Sequence, residues 1–315
     1  MNGPHDYHTP VLLEEVLRFI PHTGRGVFLD GTLGGGGHFW AMAEQLDKAA
    51  TLIGIDRDPD AVLWNRDRMP SCRPTVILEQ ARFSEFDHVL ERHGISSLDG
   101  MFLDLGVSSR QIDAPERGFS YLREGGLDMR MDPGAGAGAA EFIRTAGAGE
   151  LAAVLRDFGE VRGAEKIAAA IKSWAGVHPL RTTADLRECC ARSLSNHLSI
   201  KLLARIFQAL RIAVNDELGE LRRFCAKVLG FLRPGGRLAV ISYHSLEDRI
   251  VKQYMRENER VCVCPPESPR CVCSREPLFK RLTKKAVQPS AQEIARNRRC
   301  RSARLRVVER TGAGS

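Results

Sequence analysis

Val27-Phe28-Leu29 ends in Asp30, and the chain then opens into Gly31-Thr32-Leu33-Gly34-Gly35-Gly36-Gly37-His38. A second apolar run, Thr51 to Ile55, ends in Asp56. A strand, a glycine-rich turn, a helix and a second strand closed by an acid read as the cofactor end of a nucleotide-binding α/β sheet. Glycines lack a Cβ, so the backbone can turn sharply and approach a ligand closely. Asp56 lies where a carboxylate can take the two hydroxyls of a ribose. In the dinucleotide fingerprint such a loop offers helix N–H groups to a pyrophosphate. Here Asp30 heads the loop, and a carboxylate repels phosphate. It suits a cationic ligand instead. S-adenosylmethionine, with a sulfonium, an ammonium and a ribose, fits that requirement. The plain alternative is a glycine turn that only packs strand on helix, and Asp56 argues against it. A nicotinamide-dependent oxidoreductase is disfavoured because of Asp30.

Alternation continues along the chain. Val11 to Ile20 has helical periodicity, with Thr9-Pro10 as a cap followed by Pro at the first helical position. Helices are expected over His38–Leu46, Pro59–Arg68 and Phe83–His93, and strands over Val76–Glu79 and Met101–Leu105. Such a series predicts a parallel sheet with helices on both faces. From Gly106 to Pro133 the pattern stops, and an irregular stretch of that length is usually functional. Ala139 to about Ile200 reads as helix throughout. A long helix over Arg205–Val228, a turn at Leu232–Arg237, a strand at Leu238–Ile241 and a helix at Leu246–Glu257 resume the first pattern. Two more strands are expected near Phe279–Leu282 and Arg304–Val308. The fold class is therefore α/β, a Rossmann-like sheet with an inserted all-helical domain. Residues 1–110 form the first part of the core, 111–204 the substrate loop and helical insertion, and 205–315 the second part with basic C-terminal strands.

The net charge of +7 is unevenly spread. Ser274 to Arg310 holds twelve Lys or Arg against three acids, a surplus of nine positive charges, which leaves −2 for the rest. A one-ended basic segment is an electrostatic footprint for nucleic acid. A merely solvated tail is the alternative, but Leu282, Leu305, Val307 and Val308 interleave with the charges as in ordered strands. No apolar stretch reaches the roughly 18 residues that span a bilayer, and Met1–Pro10 is polar. A cytoplasmic protein without a membrane partner is expected. Its nine cysteines are then reduced thiols. Cys262-Val-Cys264 and Cys271-Val-Cys273 face each other across Pro-Pro-Glu-Ser-Pro-Arg and could bind zinc. One residue between ligands is tighter than the usual spacing, so a proline-stiffened hairpin with incidental thiols is preferred and no metal is assigned.

Ligands of such sheets sit outside the carboxyl ends of the strands. Asp30, the glycine loop, Asp56, Phe83, Asp104 and Ser242-Tyr243-His244-Ser245 all fall there. Phe83 is placed to contact an adenine face, although a core aromatic at a helix start reads the same way. Asp104, at the inner end of the fourth strand, can accept hydrogen bonds from an amine. For His244 a hydrogen-bonded structural role is favoured over that of a base.

Nine motifs, in order, resemble one family. They are Asp30 to His38, Gly54-Ile-Asp-Arg-Asp58, Asp104-Leu-Gly-Val-Ser-Ser109, Gln111-Ile-Asp113, Glu116-Arg-Gly-Phe-Ser120, Leu127-Asp-Met-Arg-Met-Asp132, Phe207-Gln-Ala-Leu-Arg-Ile212, Ser242 to Arg249, and Arg301-Ser-Ala-Arg-Leu-Arg306. The chain resembles the bacterial small-subunit ribosomal RNA cytosine-N4 methyltransferases, known as RsmH or MraW. The resemblance implies a class I methyltransferase sheet, with S-adenosylmethionine contacts at Gly36, Gly37, His38, Asp56, Phe83, Asp104 and Gln111. It implies methylation of one cytidine in the decoding region of 16S ribosomal RNA, free or in the small subunit, with DNA not expected and a homodimer left open. A non-catalytic ribosome-assembly factor that keeps the fold is the rival reading. The family commonly has Phe where Tyr243 sits, Pro where Gly126 sits, and a different run before Phe207. Amino-methyltransferases usually carry Asp/Asn/Ser-Pro-Pro-aromatic, whereas this chain has Asp104-Leu-Gly-Val. Asp104 is therefore expected to accept from the cytosine amine, with Tyr243 or Phe119 stacking on a base splayed out of its helix.

Overall fold

The computed structural model describes residues 10–19, 25–69, 74–194, 199–262, 264, 273 and 275–313. Two units are present, one of residues 1–106 and 219–315, the other of residues 107–218.

The first unit is built on a seven-stranded sheet of β1 (Val27–Asp30), β2 (Thr51–Asp56), β3 (Thr75–Gln80), β4 (Leu98–Asp104), β5 (Leu232–Ser242), β6 (Phe279–Arg281) and β7 (Arg304–Arg310), in the order β3-β2-β1-β4-β5-β7-β6. The pairs β1–β2, β2–β3, β1–β4 and β4–β5 are parallel, and β7 runs antiparallel to both β5 and β6. This is the Rossmann-like sheet expected from the sequence. Strand order reverses between β1 and β4, the switch point where such sheets bind ligands. Asp30 and Asp104 end the two strands that flank it.

Period-two alternation sorts the core. Leu29, Ile53, Ile55, Met101, Leu103, Leu238, Val240 and Val308 enter one apolar cluster, with α4 (Phe86–Arg92), most of α11 (Glu217–Phe231) and α12 (Ser245–Glu259) packed on it. Phe28, Leu52, Phe102, Ala239, Ile241, Leu305 and Val307 point to the opposite face, covered by α1 (Leu13–Phe19), α2 (Gly37–Gln45) and α3 (Pro59–Asp67). β4 buries every residue but its last, as a strand covered on both faces must.

The second unit holds α5 (Ser109–Asp113) and, around its own apolar cluster, α6 (Ala139–Thr145), α7 (Ala148–Gly159), α8 (Ala164–Ala175), α9 (Thr183–Leu194) and α10 (Ile200–Asn215). Buried Asn215 ties the preceding loop to this cluster. It accepts from the Met131 amide at 2.8 Å and donates to the Met129 carbonyl at 2.7 Å.

Several elements depart from expectation. The helix expected over Arg205–Val228 is two helices, α10 and α11, because Asp216 between them is left-handed, with φ 48°. α1 starts at Leu13 rather than after Pro10, since Leu12 has φ 55° and gives its amide to Glu293 Oε1 at 2.8 Å. Thr9, the expected cap, lies outside the described residues. Phe83–Glu85 is a 3-10 turn ahead of α4. The turn at Leu232–Arg237 is absorbed into β5. Leu232 pairs with Leu98 and Arg237 with Gly100, so four residues bulge opposite Asp99. Among the described residues no helix is long and apolar enough to cross a membrane.

Candidate active site

The glycine loop is held in place from both sides. The Gly31 amide donates to the Phe102 carbonyl on β4 at 2.9 Å, and the Leu33 amide to the Ile55 carbonyl on β2 at 3.0 Å. The loop then enters α2 through Gly36, whose φ of 81° is left-handed. A Cβ there would strike the Asn65 amide and the Trp40 ring, so glycine is needed for both conformation and space. Asn65, fully buried on α3, fixes the arrangement. Its Nδ2 donates to the Gly34 carbonyl at 2.9 Å and its Oδ1 accepts from Trp40 Nε1 at 2.8 Å.

Gly37 is the first residue of α2 and His38 the second. His38 is 6% exposed. Its Nε2 lies 2.9 Å from the Val11 carbonyl, which can only accept, so Nε2 carries the hydrogen. Burial pushes the ring down to about 4, and it is neutral. The Nδ1 lone pair then faces Asp104 Oδ2 at 3.7 Å.

Asp104 ends β4 with a quarter of its side chain exposed. Its Oδ1 accepts from the Tyr243 hydroxyl at 2.9 Å. Burial raises Asp104 to about 7, Tyr243's hydrogen bond opposes the rise, and the Glu247 charge adds to it. Tyr243 is itself held well above its ordinary value, first by burial and then by Asp104, and is a donor at any physiological pH. Thus two acceptors, His38 Nδ1 and Asp104 Oδ2, face each other across a gap slightly too long for a hydrogen bond.

Asp56 Oδ2 accepts from the Gly34 amide at 2.8 Å and Oδ1 from the Asp58 amide at 2.9 Å. Burial still raises it to about 6. A carboxylate has about four acceptor sites, so two hydroxyl donors can be added. Asp30 is 1% exposed and binds the Thr32 amide at 3.0 Å, which makes it the residue that shapes the turn. Burial, then the charges of Asp104 and Asp56, lift it to about 7. Phe83 is half-buried after β3, with its ring edge-on to Phe224 at 5.8 Å.

Among the sequence candidates, the first unit thus brings Gly36, Gly37, His38, Asp56, Phe83, Asp104 and Tyr243 to the carboxyl ends of its strands. Gln111 and Phe119 belong to the second unit. Gln111 closes a capping box on α5, where its Oε1 accepts from the Ser108 amide at 2.9 Å. His244 caps α12, in a box where Glu247 Oε2 accepts the Tyr243 amide at 2.8 Å and the His244 amide at 3.2 Å. That is the structural role favoured for it. Asn65 and Thr32 were missed. Thr32 Oγ1 accepts the Asp104 amide at 2.6 Å. Asn65 did carry a signal, as a polar residue one turn from Ala61 on the buried face of α3.

The family model described as the MraW methylase family matches residues 5–311. The chain is 44% identical over 309 residues to the ribosomal RNA small subunit methyltransferase H of Trichlorobacter lovleyi, covering 97% of this chain and 99% of that one. It is 43% identical to the protein of that name from Heliobacterium modesticaldum, covering 96% and 98%. The relative of the same name from Rubrobacter xylanophilus is 45% identical, covering 96% of each.

Proposed function

The chain belongs to the MraW methylase family, and on that premise we propose that it transfers a methyl group from S-adenosylmethionine to the exocyclic N4 of one cytidine in the decoding region of 16S ribosomal RNA. The name shared by the relatives supports small-subunit ribosomal RNA as the substrate. The placement of Asp104 Oδ2 at the end of β4, with Oδ1 already taken by the Tyr243 hydroxyl, supports the chemistry, because a free carboxylate oxygen there can accept from an N–H donor.

The residues fit the cofactor. Asp56 has acceptor sites for the ribose hydroxyls, and Phe83 offers a half-buried ring to an adenine. Gly36, Gly37 and His38 line the backbone approach, and Gln111 is a further contact carried over from the family motif. The carboxylates of buried Asp30 and half-buried Asp56 and Asp104 concentrate negative charge suited to a sulfonium and an ammonium. When bound, S-adenosylmethionine supplies an activated methyl group.

The protein's task is alignment and charge stabilisation. The lone pair of cytosine's amine is delocalised into the ring, which makes it a weak nucleophile. Asp104 Oδ2 accepts a hydrogen bond from that amine, localises the lone pair, and takes the N4 proton as positive charge develops. An acceptor near pH 7 is matched to this work. Tyr243 is a positioning residue, whose hydroxyl holds Oδ1 and leaves Oδ2 turned to the substrate.

The test uses purified protein, methyl-labelled S-adenosylmethionine, naked small-subunit RNA, assembled small subunits and DNA, with labelled nucleosides identified by mass spectrometry. N4-methylcytidine from RNA or particles is expected, and none from DNA. Cofactor binding without transfer to any substrate would replace this reading with that of an assembly factor.

A further inference from the structure

Among the described residues the cysteines fall into two groups. Cys189, Cys190, Cys225 and Cys300 are buried. Burial pushes Cys189 up to about 11 and Cys190 and Cys225 up to about 12, so these thiols stay protonated. Cys262, Cys264 and Cys273 stand apart. They lie on the connection from α12 to β6, and their sulfur atoms are all within 4.8 Å of one another. Tetrahedral zinc with bonds of about 2.3 Å holds its sulfurs about 3.8 Å apart, so only a small contraction is required.

Cys262 and Cys264 open onto a groove of about 630 Å³ that is also lined by Arg256, Glu259, Arg260 and Arg281. The groove is open to solvent, which gives an ion a way in.

We propose that Cys262, Cys264 and Cys273 supply three thiolate ligands of a zinc site between α12 and β6 in the sequence, with water completing the tetrahedron. Cys271, the sequence partner of Cys273, lies outside the described residues and is given no part. The tight Cys-x-Cys spacing that argued against metal in the sequence is answered by the spatial closeness of Cys273, nine positions after Cys264. The site is independent of methyl transfer.

The test measures zinc in the full chain by elemental mass spectrometry after dialysis against metal-free buffer. Zinc near one equivalent per chain is expected, falling to background in both Cys264→Ser and Cys273→Ser and unchanged in Cys225→Ser. Replacing zinc by cobalt(II) in the unaltered protein should give the visible d–d and sulfur-to-metal bands of a tetrahedral thiolate complex, a readout that holds even if a variant fails to fold. No retained zinc together with no thiolate bands would overturn the proposal. So would zinc that persists in both variants, or mass spectrometry showing these cysteines joined as a disulfide in freshly purified protein.

Discussion

At the residue scale the account rests on half-buried carboxylates whose charge is costly until a cation arrives. Asp56 is raised to about 6 and Asp104 to about 7. Their folded values exceed the unfolded ones, so the folded state binds protons more tightly. The ligand-free protein should therefore lose stability as pH rises from the ordinary carboxylate range to about 7. Affinity for the cationic cofactor moves the opposite way. Calorimetric titration should find S-adenosylmethionine binding tightening between about pH 5.5 and about pH 8, and a flat profile would contradict the role given to these acids. Tyr243→Phe keeps the ring and removes the hydroxyl that lowers Asp104. Its acid limb of kcat should move up by about one pH unit, whereas a merely stacking Tyr243 would leave the limb in place. Asp30, Asp56 and Asp104 were legible in the sequence because each ends a short apolar run. The link from Tyr243 to Asp104 was not, since 139 positions separate them.

At the element scale, the strands around the switch point were readable from short apolar runs closed by acids or followed by glycine. Boundaries failed where one residue takes an unusual conformation. Asn215-Asp216 held the only local signal of the break between α10 and α11, because Asn and Asp adopt the left-handed region more readily than most residues. Apolar periodicity on both sides masked it. The glycine loop depends on α3 through Asn65, which reaches Gly34 and Trp40. Asn65→Ala leaves buried polar partners unsatisfied and should cost about 1–3 kcal/mol in thermal or denaturant unfolding. It should weaken cofactor binding as well. Unchanged affinity would separate the loop from the ligand.

For the whole molecule, the charge count located the basic C-terminal segment but could not divide its labour. Arg304 and Arg306 converge on Asp248, at 3.0 Å and 2.6 Å, a pairing across more than fifty residues that no local pattern reveals. This ion pairing holds Asp248 below the usual carboxylate range. Arg298, Arg299 and Arg301 are exposed on the same segment and are the better candidates for RNA phosphates. Replacing those three by alanine should make the salt dependence of RNA binding less steep by about 2 in the log–log slope. An unchanged slope would place the RNA elsewhere. The account turns on Asp104 as acceptor for the cytosine amine. Single-turnover methyl transfer by Asp104→Asn, with RNA and cofactor affinities measured in parallel, tests it most directly. Transfer should slow by about 10²-fold or more while RNA still binds and cofactor is saturating. Undiminished transfer with RNA bound would contradict the account.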